Sequence, residues 1–142
     1  MATWLVRPLP ERPDFRLVVT FLWGDFHDVD SDGDATNPAS TQWTWLYLQN
    51  RGKPAEVVDI QIAEEPASFR INAGLPWLAA ATAYFLAAEF DACVRAEEGQ
   101  EWVAPRTLID RVAPFDLEAA ILRARDSVWR KATLDNPYPN RR

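Results

Sequence analysis

Residues 16–49 read RLVVTFLWGDFHDVDSDGDATNPASTQWTWLYLQ, and the division of this stretch into elements decides the fold. Its two ends, 16–23 (RLVVTFLW) and 42–49 (QWTWLYLQ), are rich in β-branched and aromatic residues, which suit the pleated surface of a strand. Between them lies an eighteen-residue segment, 24–41, holding Asp25, Asp28, Asp30, Asp32 and Asp34 and the only histidine of the chain, His27. The pattern predicts two strands paired as a long hairpin and joined by an acidic loop.

Working outward, the turn-forming residues 50–54 (NRGKP) lead into 57–62, where Val58, Ile60 and Ile62 alternate with Asp59 and Gln61. Phe69 and Ile71 repeat that alternation beside Ser68 and Arg70. Two further half-buried strands are expected, in an antiparallel sheet with short connections. Pro76 suits a first helical turn and Gly99 an end, so 76–99 is expected to form an apolar central helix with Ala79, Ala80, Ala83 and Ala87 on a small-residue side. A second helix is expected over 116–132, from Leu117, Ile121, Ala124 and Val128, with a shorter one near 106–112. Strands first and helices later give an α+β domain covering 1–142, with about four strands from the N-terminal half packed by two main helices from the C-terminal half.

A chain of 142 residues that is 48% hydrophobic and carries seven Trp and seven Phe can bury a real core without disulfides. The lone Cys93 lies among Phe90, Val94 and alanines, reads as a buried thiol and suits a reducing compartment. The start, MATWLVRPLPERP, lacks the basic head, long apolar core and cleavage site of a signal peptide, and the uncharged run 71–88 is broken by Asn72, Gly74 and Pro76. A cytoplasmic protein without a membrane anchor is therefore expected. The net charge of -6 is unevenly spread, with -5 between residues 17 and 50, where no Lys or Arg occurs, and +4 over 123–142. Such a surface favours a basic partner over nucleic acid. Thirteen of fifteen basic residues are Arg, as a GC-rich bacterial genome would encode.

Three features carry chemical content. Asp28, Asp30, Asp32 and Gly33 spell DxDxDG, which could present carboxylates to calcium, with Asp34 adding an oxygen. Counted from Asp28, however, the twelfth position is Ala39 rather than a bidentate Glu, and the expected flanks are strands. The alternative is a solvated loop whose repulsion is relieved by water and salt. His27 between Asp25 and Asp28 has no nucleophile placed beside it, and zinc would lack ligands, so a surface histidine is expected and no catalytic residue is assigned. The aromatic stripe Trp43, Trp45 and Tyr47, with Trp23 on the neighbouring run, packs as core on one face or stays exposed beside the aspartates as a hot spot for protein binding.

In its acidic loop, its aromatic neighbours Trp23, Trp43 and Trp45, and its compact size, the chain resembles in type the immunity proteins of bacterial contact-dependent growth inhibition and polymorphic toxin systems. That resemblance implies a non-enzymatic protein inhibitor without cofactor that covers a cognate toxin domain, commonly a basic nuclease. The contacting set would be Asp25, His27, Asp28, Asp30, Asp32 and Asp34 with Trp23, Trp43 and Trp45. A calcium-dependent or small-ligand module using Asp28, Asp30, Asp32 and Asp34 is the alternative.

Overall fold

A computed structural model describes residues 2–8, 11–64, 67–99 and 101–139. Six strands, β1 (Ala2–Arg7), β2 (Val29–Gly33), β3 (Trp45–Asn50), β4 (Val57–Glu64), β5 (Ala67–Ala73) and β6 (Cys93–Ala96), form one sheet in the order β2-β3-β4-β5-β1-β6. Every neighbouring pair is antiparallel. Helices α1 (Phe15–Trp23), α2 (Pro76–Glu89) and α3 (Leu117–Arg125) join the core-facing residues of this sheet in one hydrophobic cluster. The architecture is α+β, with six strands where four were expected.

Alternation works where it was readable. Leu46 and Leu48 of β3, Val58 and Ile60 of β4, and Phe69, Ile71 and Ala73 of β5 are all buried, with Leu46, Ile60 and Ile71 in one cross-strand row and Leu48, Val58 and Ala73 in the next. A Leu, Val, Ile or Phe side chain contributes about 1.5–3 kcal/mol when fully buried. The opposite face carries Tyr47, Asp59, Asn72 and Thr3 in one cross-strand row, and Trp45, Gln61, Arg70, Leu5 and Arg95 in the next.

The first correction concerns residues 16–23, which are helical and not a strand. Asp14 caps the helix by accepting from the Arg16 backbone N–H at 2.9 Å, and its carboxylate also holds the Arg16 guanidinium at 2.6 Å. All seven residues from Arg16 to Leu22 are buried, because α1 packs on β3 of the sheet, beside α2, and against α3. Its helical period rests on only two polar residues, Arg16 and Thr20 four apart, and the β-branched Val18, Val19 and Thr20 lent it a strand-like composition. The buried guanidinium also stacks on the Trp129 ring at 4.0 Å, tying α1 to the C-terminal part of the chain.

Because 16–23 leaves the sheet, residues 24–41 are not one loop: Val29–Gly33 forms β2 and pairs with β3 in place of the expected strand. The strand β1, at the N-terminus, was not anticipated, and it lies between β5 and β6. The central helix stops at Glu89 rather than Gly99; Asp91 takes a φ of 51°, and the chain turns back as β6. Cys93 is therefore exposed on β6, not buried in a helix. The expected helix over 116–132 ends at Arg125, and Ser127 begins a separate 3-10 turn, Val128–Lys131, by accepting from Trp129 N–H at 3.2 Å. The short helix near 106–112 is present as a 3-10 helix, Pro105–Arg111.

The alanines of α2 are buried as expected, with Ala83 wholly inaccessible. Ala83→Leu should therefore overpack the interface and cost about 1–3 kcal/mol. Urea unfolding measures this, and equal midpoints for mutant and parent would place Ala83 outside the core.

Candidate functional site

Residues 28–34 run beside β3 with Asp30 opposite Gln49 and Asp32 opposite Tyr47. Two backbone bonds at the ends of this pairing, Arg51 N–H to Asp28 O and Asp34 N–H to Trp45 O, both 3.3 Å, fix its phase. Hydrogen-bonded pairs in an antiparallel ladder recur every second residue. The even residues from Asp28 to Asp34 thus turn their backbone groups toward β3, and Val29, Ser31 and Gly33 turn theirs away from the sheet. The side chains divide the same way. Ser31 and Gly33 stand across from the core residues Leu48 and Leu46, whereas Asp30 and Asp32 stand on the helix-free face.

The five aspartates consequently do different things. Asp25 accepts from the Thr20 and Ser127 hydroxyls and, at 3.4 Å, from Val128 N–H, so it joins the end of α1 to the C-terminal 3-10 turn. Asp34 accepts from Thr44 N–H at 2.7 Å, from the Thr44 hydroxyl and from Trp45 N–H at 3.1 Å. The Thr44 hydroxyl bond holds the Asp34 carboxyl below the ordinary carboxylate value; burial opposes it, and the backbone bonds from Thr44 and Trp45 add to the lowering. Its contribution to stability is present above the unfolded value and is lost as pH falls through the lowered one.

Asp28, Asp30 and Asp32 form the exposed row. The side chains of Asp28 and Asp30 are 75% and 53% accessible. Arg51, which sequence reasoning passed over as a turn residue, bridges both at 3.4 and 2.7 Å. Such exposed pairs contribute little to folding. Asp32 bonds the N–H of Gly33 at 2.8 Å. Gly33 sits at φ 148°, and a Cβ there would lie 2.4 Å from the Trp45 carbonyl oxygen, so the close passage of β2 over β3 needs glycine at this position.

This geometry does not form the calcium turn that DxDxDG spells. Alternate residues of a strand are about 7 Å apart, which spreads the three carboxylates along an edge rather than converging them at 2.3–2.6 Å on one ion. Among the described residues no group of three or more His, Cys, Asp or Glu is arranged to hold a metal.

The remaining residues of the expected set divide between scaffold and surface. His27 Nε2 lies 2.9 Å from Asn50 Oδ1, which already accepts from Gly52 N–H, so the imidazole donates through Nε2. Asn50 Nδ2 and Trp23 Nε1 both donate to Glu56 Oε1, at 3.1 and 2.8 Å. His27 and Trp23 thereby anchor the start of the acidic segment to the turn between β3 and β4. Trp43 precedes β3 and does not share a face with Trp45; it is 1% exposed, packs on Phe69 and donates to Pro13 O at 2.9 Å, so it belongs to the core. Trp45 and Tyr47 are half-buried on the helix-free face, with Trp45 Nε1 donating to Asp59 Oδ2 at 3.2 Å.

No protein-family model, curated protein or solved structure matches this chain. Among the described residues, no helix is long and apolar enough to cross a membrane.

The division of the aspartates is testable by unfolding. Asp25→Ala removes the charged acceptor shared by the Thr20 and Ser127 hydroxyls and Val128 N–H and should cost about 1–3 kcal/mol. Asp30→Ala should stay within about 0.5 kcal/mol of the parent. Equal losses for the two variants in denaturant melts would contradict the assignment.

Proposed function

We propose that this chain is a non-catalytic protein inhibitor of the immunity type, which captures a basic toxin domain in the bacterial cytoplasm through the outer face of β2 and β3. The observation that carries the reading is the row Asp28, Asp30 and Asp32 on an exposed edge strand, with Tyr47 directly across from Asp32 and Trp45 at the next position on that face. Carboxylates spaced along a strand present a line of negative charge to a partner built to hold a phosphate backbone. Half-buried Trp and Tyr beside them supply anchors of the kind that dominate protein interfaces.

Charge in this arrangement acts mainly on capture. Opposite potentials speed encounter and set specificity more than they add affinity, and the effect falls with ionic strength. Arg51 moderates the row without cancelling it, since one guanidinium serves two of three carboxylates. An incoming Arg or Lys can take over Asp28 or Asp30 at little cost, because the existing pairs are exposed and weak. The reading requires no cofactor.

The test is a stopped-flow titration with the basic toxin domain encoded beside this chain, at several salt concentrations. A stoichiometric complex is expected, with an association rate that falls as salt rises. Asp30→Asn/Asp32→Asn should slow association and flatten the salt slope. Adding millimolar calcium should change neither rate nor melting temperature. An unchanged salt slope in the double variant, or binding that needs calcium, would sink the proposal.

A further inference from the structure

The two edges of the sheet are not alike. On β6, Val94 exchanges backbone bonds with Val103 at 2.9 and 2.8 Å, so the following segment closes that edge. On β2, the N–H and C=O groups of Val29 and Ser31 and the C=O of Gly33 point outward, and no described residue bonds to them. Only the Gly33 N–H is answered, by the Asp32 carboxylate.

Beside this open edge lies a recess of about 180 Å³ lined by the apolar Phe15, Ala35 and Leu46 and by Ser31, Asp32 and Gly33. It exists because the two β2 residues that face the core there are the small Ser31 and Gly33.

We propose that β2 receives an additional strand from a basic partner, whose backbone completes the ladder at Val29 and Ser31. Side chains of an added strand alternate between faces. One set would enter the recess, where Phe15, Ala35 and Leu46 take its methyl groups beside the polar Ser31 and Asp32, and so is short and aliphatic. The other set would stand on the helix-free face next to Asp30 and Asp32, and so is Arg or Lys. The occupant is thus an extended segment alternating basic and apolar residues, with backbone bonds giving affinity and the recess giving register. Charge complementarity selects this occupant over a second copy of the chain, since two β2 strands would oppose their aspartates. The inference rests on the inhibitor reading and specifies how its partner docks.

The probe is a synthetic hexapeptide alternating arginine and valine, titrated into isotope-labelled protein and followed by NMR. Saturable shifts of the Val29, Ser31 and Gly33 amides are expected. The same peptide N-methylated at alternate amides should fail to bind at one of its two phases. Ser31→Pro should abolish the response; it removes an N–H that points away from β3, so the native ladder is kept, as retained β2–β3 cross-peaks would verify. Shifts confined to Trp45 and Tyr47, or equal binding by all methylated peptides, would overturn strand addition. If Ser31→Pro binds both the peptide and the toxin domain as the parent does, while Asp30→Asn/Asp32→Asn does not, strand addition falls and the acidic-surface reading stands. If the parent binds neither peptide nor domain, both fall.

Discussion

The buried pair Asp14–Arg16 sets the course of the chain. Asp14 caps α1 and neutralises an arginine that lies 10% exposed against Trp129. A buried charge without its partner is strongly destabilising, so this pair holds the start of α1 in place. With 15–23 folded as a helix in the core, the seat next to β3 is empty, and the chain fills it on its return with the only residues in reach, VDSDG. The acidic edge is thus a consequence of where α1 goes.

That consequence shapes function. An edge strand made of Val29, Asp30, Ser31, Asp32 and Gly33 buries little, and it is held by the ladder to β3 and by the anchors at its ends. Asp25, His27 and Trp23 fix one end, and Asp34 with Thr44 fixes the other. Segments with few buried contacts lie at the low-stability end of a fold, where binding elements are commonly drawn from. Charged side chains also protect an open edge from self-association. The same carboxylates therefore disfavour a second copy of the chain at this edge, while the proposed basic strand would meet opposite charge there.

Much of the sheet was legible in sequence because Val58, Ile60, Phe69 and Ile71 alternate with polar residues, which only a half-buried strand requires. Segment 16–23 was not, because its β-branched composition outweighed the two helical signals it carries, the Asp14 cap and the four-residue spacing of Arg16 and Thr20. The strand at 29–33 was hidden by its composition: aspartate is depleted in strands, and the calcium spelling gave the same residues another meaning. Yet the signal was present, since Asp28, Asp30 and Asp32 fall at the two-residue period of a strand. The turn at Asp91 that separates α2 from β6 has no strong marker in the sequence, and Cys93 was misplaced with it. Of the nine expected contact residues, Asp28, Asp30, Asp32 and Trp45 lie together as a surface row on the helix-free face, and Tyr47 and Arg51 join them through the pairing of β2 with β3.

The most direct measurement is amide hydrogen exchange across residues 24–41. Slow exchange at Asp30 and Asp32, whose N–H groups face β3, with fast exchange at Val29 and Ser31, is the expected alternation of an ordered strand with one open edge. Uniformly fast exchange through the segment would mean a solvated loop, and would remove both the ordered row of carboxylates and the edge proposed to receive a partner.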